Sequence, residues 1–563
     1  MSEDEDSGED AASRPSRAGR RAGAGRGLMA VTLAGVALRL WQYLADTSLW
    51  LDEIALAQGV LDRGLRELLA SPLPYNQVAP KGFLLVEKLA VMALGPSDYA
   101  LRLFPLTCSL IALLAFKRLA SRLLDGVAPL AAVTLFATAA PLIASGALVK
   151  QYSADVCVAV LMWSLAHGLT SRPATPGRLG LAALAGSLLV WFSQPGILMA
   201  AALGAWLFAW PAGHEAGTLT RRKLAPVPAC WAASSLAATL VAFADVSPET
   251  RDYLHRFWAA GFAPTSVAHL LSTRWPLNQL RLLFGEGLTH GGLAYPWPWF
   301  YVALTFAGLA VLWQRNRRTA ALLTAPLALT LAASAVGQYP FSERLILFLV
   351  PGFLLCVAAA AEAARRLLLP LSTALGAAAA ALLILPAVYP VASKPPVYLT
   401  EHMKPVLAYV RERRRPGDGV YVYYGAAPAV TFYGRTFGLE LGDYAVGGCN
   451  RGDNRRYLRE LDTFRGRGRV WVLLTHDVPQ LREGEVILAY LDAIGTRMDS
   501  LVIDSRGVGR QFPPAAVYLY DLSDAEKLAA ASADSFRLTG AVPAGLHLGC
   551  GNGPQAMVET DFR

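Results

Sequence analysis

The sequence predicts a polytopic α-helical membrane protein with about 11–13 transmembrane helices and a C-terminal extracytoplasmic α/β domain. Three observations carry that fold class. Of 563 residues, 54% are hydrophobic and only 17% charged, a balance foreign to ordinary soluble domains. The apolar residues fall in long runs separated by short basic loops. From about Pro395 the pattern changes to alternating strand and helix signals.

Residues 1–27 read as a disordered cytoplasmic tail. Its first ten residues are mostly acidic, and Arg14, Arg17, Arg20, Arg21 and Arg26 follow in a Gly/Ala/Ser-rich setting. The charged stretch is too long, and the next apolar run too complete, for a cleavable signal peptide. Residues 28–393 read as the transmembrane domain. After a first span over 28–44, further spans are expected near 100–116, 127–147, 155–170, 179–193, 196–211, 225–244, 296–313, 319–337, 344–363 and 367–390. The weaker segment 82–96 carries Glu87 and Lys88 and suits an interfacial or re-entrant course.

With that segment not crossing, the basic clusters at Lys117-Arg118, Arg172, Arg221-Arg222-Lys223, Arg315 and Arg365-Arg366 all face the cytoplasm with the tail. The spans then number about eleven, and residues 394–563 lie outside. In that last part Val420–Tyr424, Arg469–Leu474 and Ala516–Tyr520 read as strands, and 402–413 and 484–497 as helices.

The net charge of +9 follows from the loop arginines and lysines and does not signal nucleic-acid binding. Six cysteines make no disulfide framework. Cys108, Cys157, Cys230 and Cys356 sit in apolar segments; a bridge between Cys449 and Cys550 requires the C-terminal part to be extracytoplasmic. The chain shows no Walker-type loop, paired CxxC, dinucleotide fingerprint or internal repeat.

Polar residues converge on the outer face in three places. The loop 45–81 begins with Trp50-Leu51-Asp52-Glu53 and ends with Asn76-Gln77-Val78-Ala79-Pro80-Lys81. Lys150-Gln151-Tyr152-Ser153-Ala154-Asp155 joins two spans, and Gln338-Tyr339-Pro340-Phe341-Ser342-Glu343-Arg344 enters a late one. A longer outer loop, 245–295, adds His255, His269, His290 and several aromatics. Carboxylates at a bilayer surface are costly without a task, although a helix start also favours them.

The order of these stretches, together with Pro96–Pro105 containing Arg102 and Ser342–Pro351, resembles the GT-C membrane glycosyltransferases. It is most similar to the branch holding protein O-mannosyltransferases, aminoarabinose transferases and Rgt-type enzymes. The resemblance spans the membrane part and implies transfer of a sugar from a polyprenyl-phosphate donor to a glycan, lipid or protein acceptor on the outer face. It implies an integral plasma-membrane location, bacterial inner membrane by type. Where many relatives carry Pro-Pro or Glu-Lys-Pro, this chain has Ala79-Pro80-Lys81-Gly82, so an acidic group associated with metal in one branch is missing.

Such a transfer needs a base for the acceptor hydroxyl and positive charge for the departing phosphate. Asp52 is the expected base. Glu53 is expected to support it, as a neighbour or a helix-start charge, with a direct role as the alternative. Asp155 either orients the acceptor or caps its helix. Lys81 and Arg344 are the leading phosphate ligands, with Lys150 and Tyr152 as further ones; Gln77 and Tyr339 are expected to contact sugar or acceptor. The outer histidines lack metal-ligand spacing, so no metal is assigned, and a divalent ion stays open as the one cofactor to test. Two other classes fit the composition: a transporter or flippase of a lipid-linked glycan, and a non-catalytic glycan-binding assembly protein.

Overall fold

The computed structural model describes residues 17–171, 175–210, 221–285, 292–477, 481–506 and 513–537. His290 and Cys550, and residues 1–16 of the expected tail, lie outside them. The chain enters with α1 (Arg17–Leu44), which starts inside the segment read as a tail. The first long loop holds α2 (Leu51–Asp62) and α3 (Leu65–Ala70). Next come α4 (Lys81–Leu94), α5 (Asp98–Leu123), the broken pair α6 (Ala128–Thr138) and α7 (Ala140–Ala144), α8 (Tyr152–Ser171), α9 (Pro176–Leu189) and α10 (Pro195–Ala209). A short α11 (Arg221–Leu224) leads into α12 (Pro226–Ala244).

The second long loop carries α13 (Pro248–Phe257), α14 (Val267–Thr273) and α15 (Trp275–Gly285). The membrane part closes with α16 (Pro298–Arg315), α17 (Arg317–Ala335), α18 (Val350–Leu368) and α19 (Thr373–Ser393). Every apolar segment expected to span is helical. Among the described residues seven helices are long and apolar enough to cross a membrane, or eight with α6 and the bent segment Ala140–Ala147 taken as one span, fewer than the eleven expected. The 59° bend in that pair falls where Ala139 leaves helical geometry and Pro141 restarts the helix.

The apolar run Glu343–Leu368, a 3-10 segment continuing into α18, is 94% buried over its most apolar window and forms the centre of the bundle. α16 crosses it closely: a Cβ on Gly308 would lie 1.8 Å from the Cys356 carbonyl oxygen, so only glycine permits the approach. The outer helices turn large side chains outward, with Leu181 66%, Leu236 62% and Leu382 71% exposed. Such faces suit lipid, where exposed leucine carries no penalty.

After α19 the chain forms α20 (Met403–Arg413), β1 (Gly419–Val422), α21 (Ala427–Tyr433), β2 (Ala445–Val446), α22 (Asn454–Asp462), β3 (Val470–Leu474), α23 (Glu483–Ile494), β4 (Thr496–Ile503), β5 (Ala515–Asp521) and α24 (Ala525–Ala530). The sheet runs β2-β1-β3-β5-β4. β1 is parallel to β2 and β3, and β5 is antiparallel to β3 and β4. Alternation along β1, β3 and β5 feeds two cores. Val420, Val422, Trp471, Leu473, Val517 and Leu519 join Met403, Val406 and Leu407 of α20 in the cluster continuous with the membrane helices. Tyr421, Val470, Val472, Tyr518 and Tyr520 pack with Tyr457, Leu458, Ile487 and Tyr490 of α22 and α23.

This α/β unit is tied to the end of α1, the loop before α2 and the start of α5. Tyr398 N donates to Gln42 Oε1 at 2.7 Å and Leu49 N to the Tyr433 hydroxyl at 2.8 Å. Lys404 Nζ sits 2.8 Å from both Asp46 Oδ1 and Asp98 Oδ2. His402 Nδ1 lies 3.0 Å from the Ser48 amide nitrogen. Burial, with Lys404 and Arg102 nearby, depresses the His402 pKa to about 4.

Candidate functional site

α2 begins after Trp50, whose N–H donates to Glu53 Oε2 at 3.2 Å and closes the first turn. Adjacent residues on a helix point about 100° apart, and this separates the acidic pair. Glu53 turns inward and is 1% exposed. Its Oε1 accepts from Val149 N at 2.7 Å and lies 3.5 Å from Arg102 Nη2. Burial raises the Glu53 pKa against the pull of Arg102. Arg102 in turn donates to Thr47 O at 2.6 Å and Ser48 O at 3.3 Å. Glu53 and Arg102 therefore knit the Thr47–Trp50 approach to α5 and to the loop before α8.

Asp52 turns the other way. Its Oδ2 accepts from Arg344 Nη2 at 3.2 Å, with the two side chains 23% and 14% exposed. Asp52 Oδ1 takes no hydrogen bond among the described residues. Arg344 lies against three rings, Trp50, Tyr152 and Trp258, at 5.6, 5.9 and 5.3 Å from their centroids. Glu343 before it adopts a left-handed conformation, φ 48°, which costs free energy in a non-glycine residue. The Arg344 Nε is buried without a hydrogen-bond partner among the described residues. A buried guanidinium with an idle donor and one neutralising carboxylate is equipped to take an anion.

Arg344 also lines an open cleft of about 780 Å³ with Trp50, Glu53, Tyr152 and Leu347, closed on the far side by Tyr398, Leu399 and Arg506. Membrane helices and the segments around the C-terminal sheet thus both form its wall. Asp52 is outside that lining; its charged and phenolic neighbours are Arg344, Lys150, Tyr152, Tyr253 and His476.

Lys150 sits at the same end of the molecule, 6% exposed, donating to Gln77 Oε1 at 2.5 Å. Burial lowers its pKa, with Asp52 opposing. Lys81 goes elsewhere. It pairs with Asp245 Oδ2 at 2.8 Å and lines a separate cleft of about 550 Å³ with Gln77, Trp191, Ile197 and Val241. Asp155 lies within the first turn of α8, after its start at Tyr152, and its Oδ1 is buried without a partner among the described residues. Tyr339 spends its hydroxyl on Leu345 O at 2.7 Å. His255 stacks on Phe262 and contacts Gly337 O at 3.0 Å. Among the described residues no three His, Cys, Asp or Glu side chains stand together as metal ligands.

Sequence reasoning brought Asp52, Arg344, Lys150, Tyr152 and Gln77 to one region. It missed Trp258 and Tyr253, seen only as aromatics of a long loop, and it missed Glu401, His476 and Arg506 of the C-terminal domain. None of these has a spacing that would have marked it.

No family model and no curated protein matches the sequence. Among solved structures, the chain is similar to ArnT from Cupriavidus metallidurans bound to undecaprenyl phosphate, at 13% identity and TM-score 0.45, over 91% of this chain and 99% of that one. It is similar to the Archaeoglobus fulgidus oligosaccharyltransferase in complex with Zn and sulfate, at 13% identity and TM-score 0.46, over 87% and 73%. It is similar also to the archaeal oligosaccharyltransferase AglB in complex with an inhibitory peptide and a dolichol-phosphate, at 13% identity and TM-score 0.45, over 85% and 73%.

Proposed function

We propose that this protein is a membrane glycosyltransferase that moves a sugar from a polyprenyl-phosphate donor to an envelope glycan, lipid or protein on the outer face. The observation that carries this reading is the Asp52–Arg344 pair, a carboxylate and a guanidinium 3.2 Å apart beside a cleft, just beyond an apolar span. With no donor bound, Asp52 neutralises Arg344. An arriving phosphate competes for the guanidinium, engages the idle Nε and releases the carboxylate. Asp52 then accepts the proton of the acceptor hydroxyl as its oxygen bonds to the anomeric carbon. The glycosidic C–O bond to phosphate breaks with its electron pair on the phosphate, where Arg344 offsets the charge. One displacement of this kind inverts the anomeric centre.

Lys150 and Tyr152 flank the same pair, and Glu53 with Arg102 holds its geometry. The motif order supports the family reading. An extracytoplasmic C-terminal domain is in keeping with the disulfide-bonded Cys449, since such bonds belong to oxidising compartments. The N-terminus then faces the cytoplasm. The test is reconstitution in liposomes with a labelled polyprenyl-phosphate sugar and an envelope extract. A new glycosidic product is expected; labelled donor crossing the bilayer unchanged, without product, would favour a flippase instead.

A further inference from the structure

His476 follows β3 in a left-handed conformation, φ 54°, that a histidine adopts at a cost. Its Nδ1 is hydrogen-bonded to Glu401 Oε1, and the Glu401 side chain is 3% exposed. The other carboxylate oxygen of Glu401 accepts the backbone N–H of Leu51 at 3.3 Å, the residue directly before Asp52. One buried carboxylate therefore grips both the imidazole of the C-terminal domain and the start of the helix that bears the base. The His476 side chain remains 20% exposed, and its Nε2 makes no hydrogen bond with any described residue. His476 lies within electrostatic reach of Asp52 and of Arg451, whose Nε donates to the Tyr424 hydroxyl at 2.6 Å.

Holding Nδ1–H on a carboxylate leaves Nε2 as the free ring position, which donates once the imidazole is protonated. Around Asp52 the side chains within reach are then mostly cationic: Arg344, Lys150 and His476. Three such groups around one carboxylate suit an anion larger than that carboxylate.

We propose that the C-terminal domain completes the phosphate site, with His476, held by Glu401, donating from Nε2 to the lipid-carrier phosphate that Arg344 binds. This rests on the glycosyltransferase reading above and extends it, because it makes the two domains one site. Glu401 is the positioning residue, acting through His476 and through the Leu51 amide. Burial opposes a charged His476, but Glu401 outweighs it and raises the pKa. Asp52 works in the same direction, and Arg451 against it. Asp477, the residue beside it, is also within reach of the imidazole charge.

The test uses the full chain in nanodiscs, with undecaprenyl phosphate and undecaprenol as probes and binding read from tryptophan fluorescence across pH. Wild-type protein should prefer the phosphate, and its affinity should fall as pH rises through the His476 pKa. His476→Ala should weaken phosphate binding by about tenfold or more, leave undecaprenol binding unchanged and abolish that pH dependence. Glu401→Gln, which keeps the shape of the pair, should move the pH dependence downward. Wild-type preference for phosphate with unchanged affinity and pH profile in both variants would overturn the role of His476 and leave the function standing. No wild-type preference for phosphate over alcohol would overturn the glycosyltransferase reading and this inference together.

Discussion

The guanidinium of Arg344 meets the carboxylate of Asp52 at 3.2 Å across a sequence separation of 292 residues. One group rides on a largely buried helix of the first long loop, the other at the entry of the most buried run of the bundle. Arg344 is further fixed by Trp50, from the same turn as Asp52, and by Trp258 from the second long loop. On the proposed reading, a phosphate reaching Arg344 competes with Asp52 for the guanidinium, which links donor binding to freeing of the carboxylate.

Arg344→Ala should raise the donor constant by roughly ten- to a hundredfold, the loss of charge-assisted hydrogen bonds to phosphate. The acceptor constant should change little. Arg344→Lys should recover only part, because an ammonium cannot reproduce the fork. Steady-state kinetics with donor and acceptor varied separately checks this; a change confined to the acceptor constant would remove Arg344 from the phosphate.

Lys81 should matter less to the donor phosphate than Arg344. Its charge is matched by Asp245 at 2.8 Å in a different cleft. Lys81→Met is expected to raise the donor constant by less than about tenfold, under the same conditions that expose the Arg344 effect. An equal or larger effect would make Lys81 a phosphate ligand as well.

Breaking the buried Glu53–Arg102 pair should cost stability, not chemistry alone. Glu53→Ala leaves a 2% exposed guanidinium without its carboxylate, a loss of about 3–5 kcal/mol. Thermal unfolding in detergent should show a clear drop. Unchanged unfolding with lost activity would instead give Glu53 a direct role.

Docking of the C-terminal domain should weaken in acid. His402 has a pKa depressed to about 4, below its ordinary 6.5. The unfolded chain therefore binds more protons between those values, and stability falls as pH drops through that window. His402→Gln should flatten the difference. Unfolding followed from pH 7 to 4 for both proteins checks the sign; an identical slope would contradict it.

Most membrane helices were legible from hydropathy: among the described residues seven of the eleven expected segments, or eight with the bent pair, hold a helix long and apolar enough to cross, while 179–193 and 196–211 hold shorter ones. The C-terminal strands at Val420, Arg469 and Ala516 were legible as fully buried runs. β4 was not. The helix expected over 484–497 stops at Ile494, and the strand Thr496–Ile503 alternates exposed and half-buried residues at a sheet edge. Weak apolarity hid it.

At the site, Asp52 and Arg344 could be paired in advance because both stood at loop ends on one face. Lys81 could not be separated from them, because its partner Asp245 is an unremarkable loop residue. The Glu401–His476 contact spans 75 residues with no motif at either end, so only the folded sheet reveals it.

The most direct measurement of the central claim is a single-turnover transfer rate for Asp52→Asn beside its affinity for the donor. The variant keeps the size and hydrogen-bonding reach of the side chain but cannot accept the proton. The account predicts a rate lower by roughly a hundred- to ten-thousandfold with donor affinity kept or raised, because the phosphate no longer displaces a carboxylate from Arg344. A wild-type rate would contradict it.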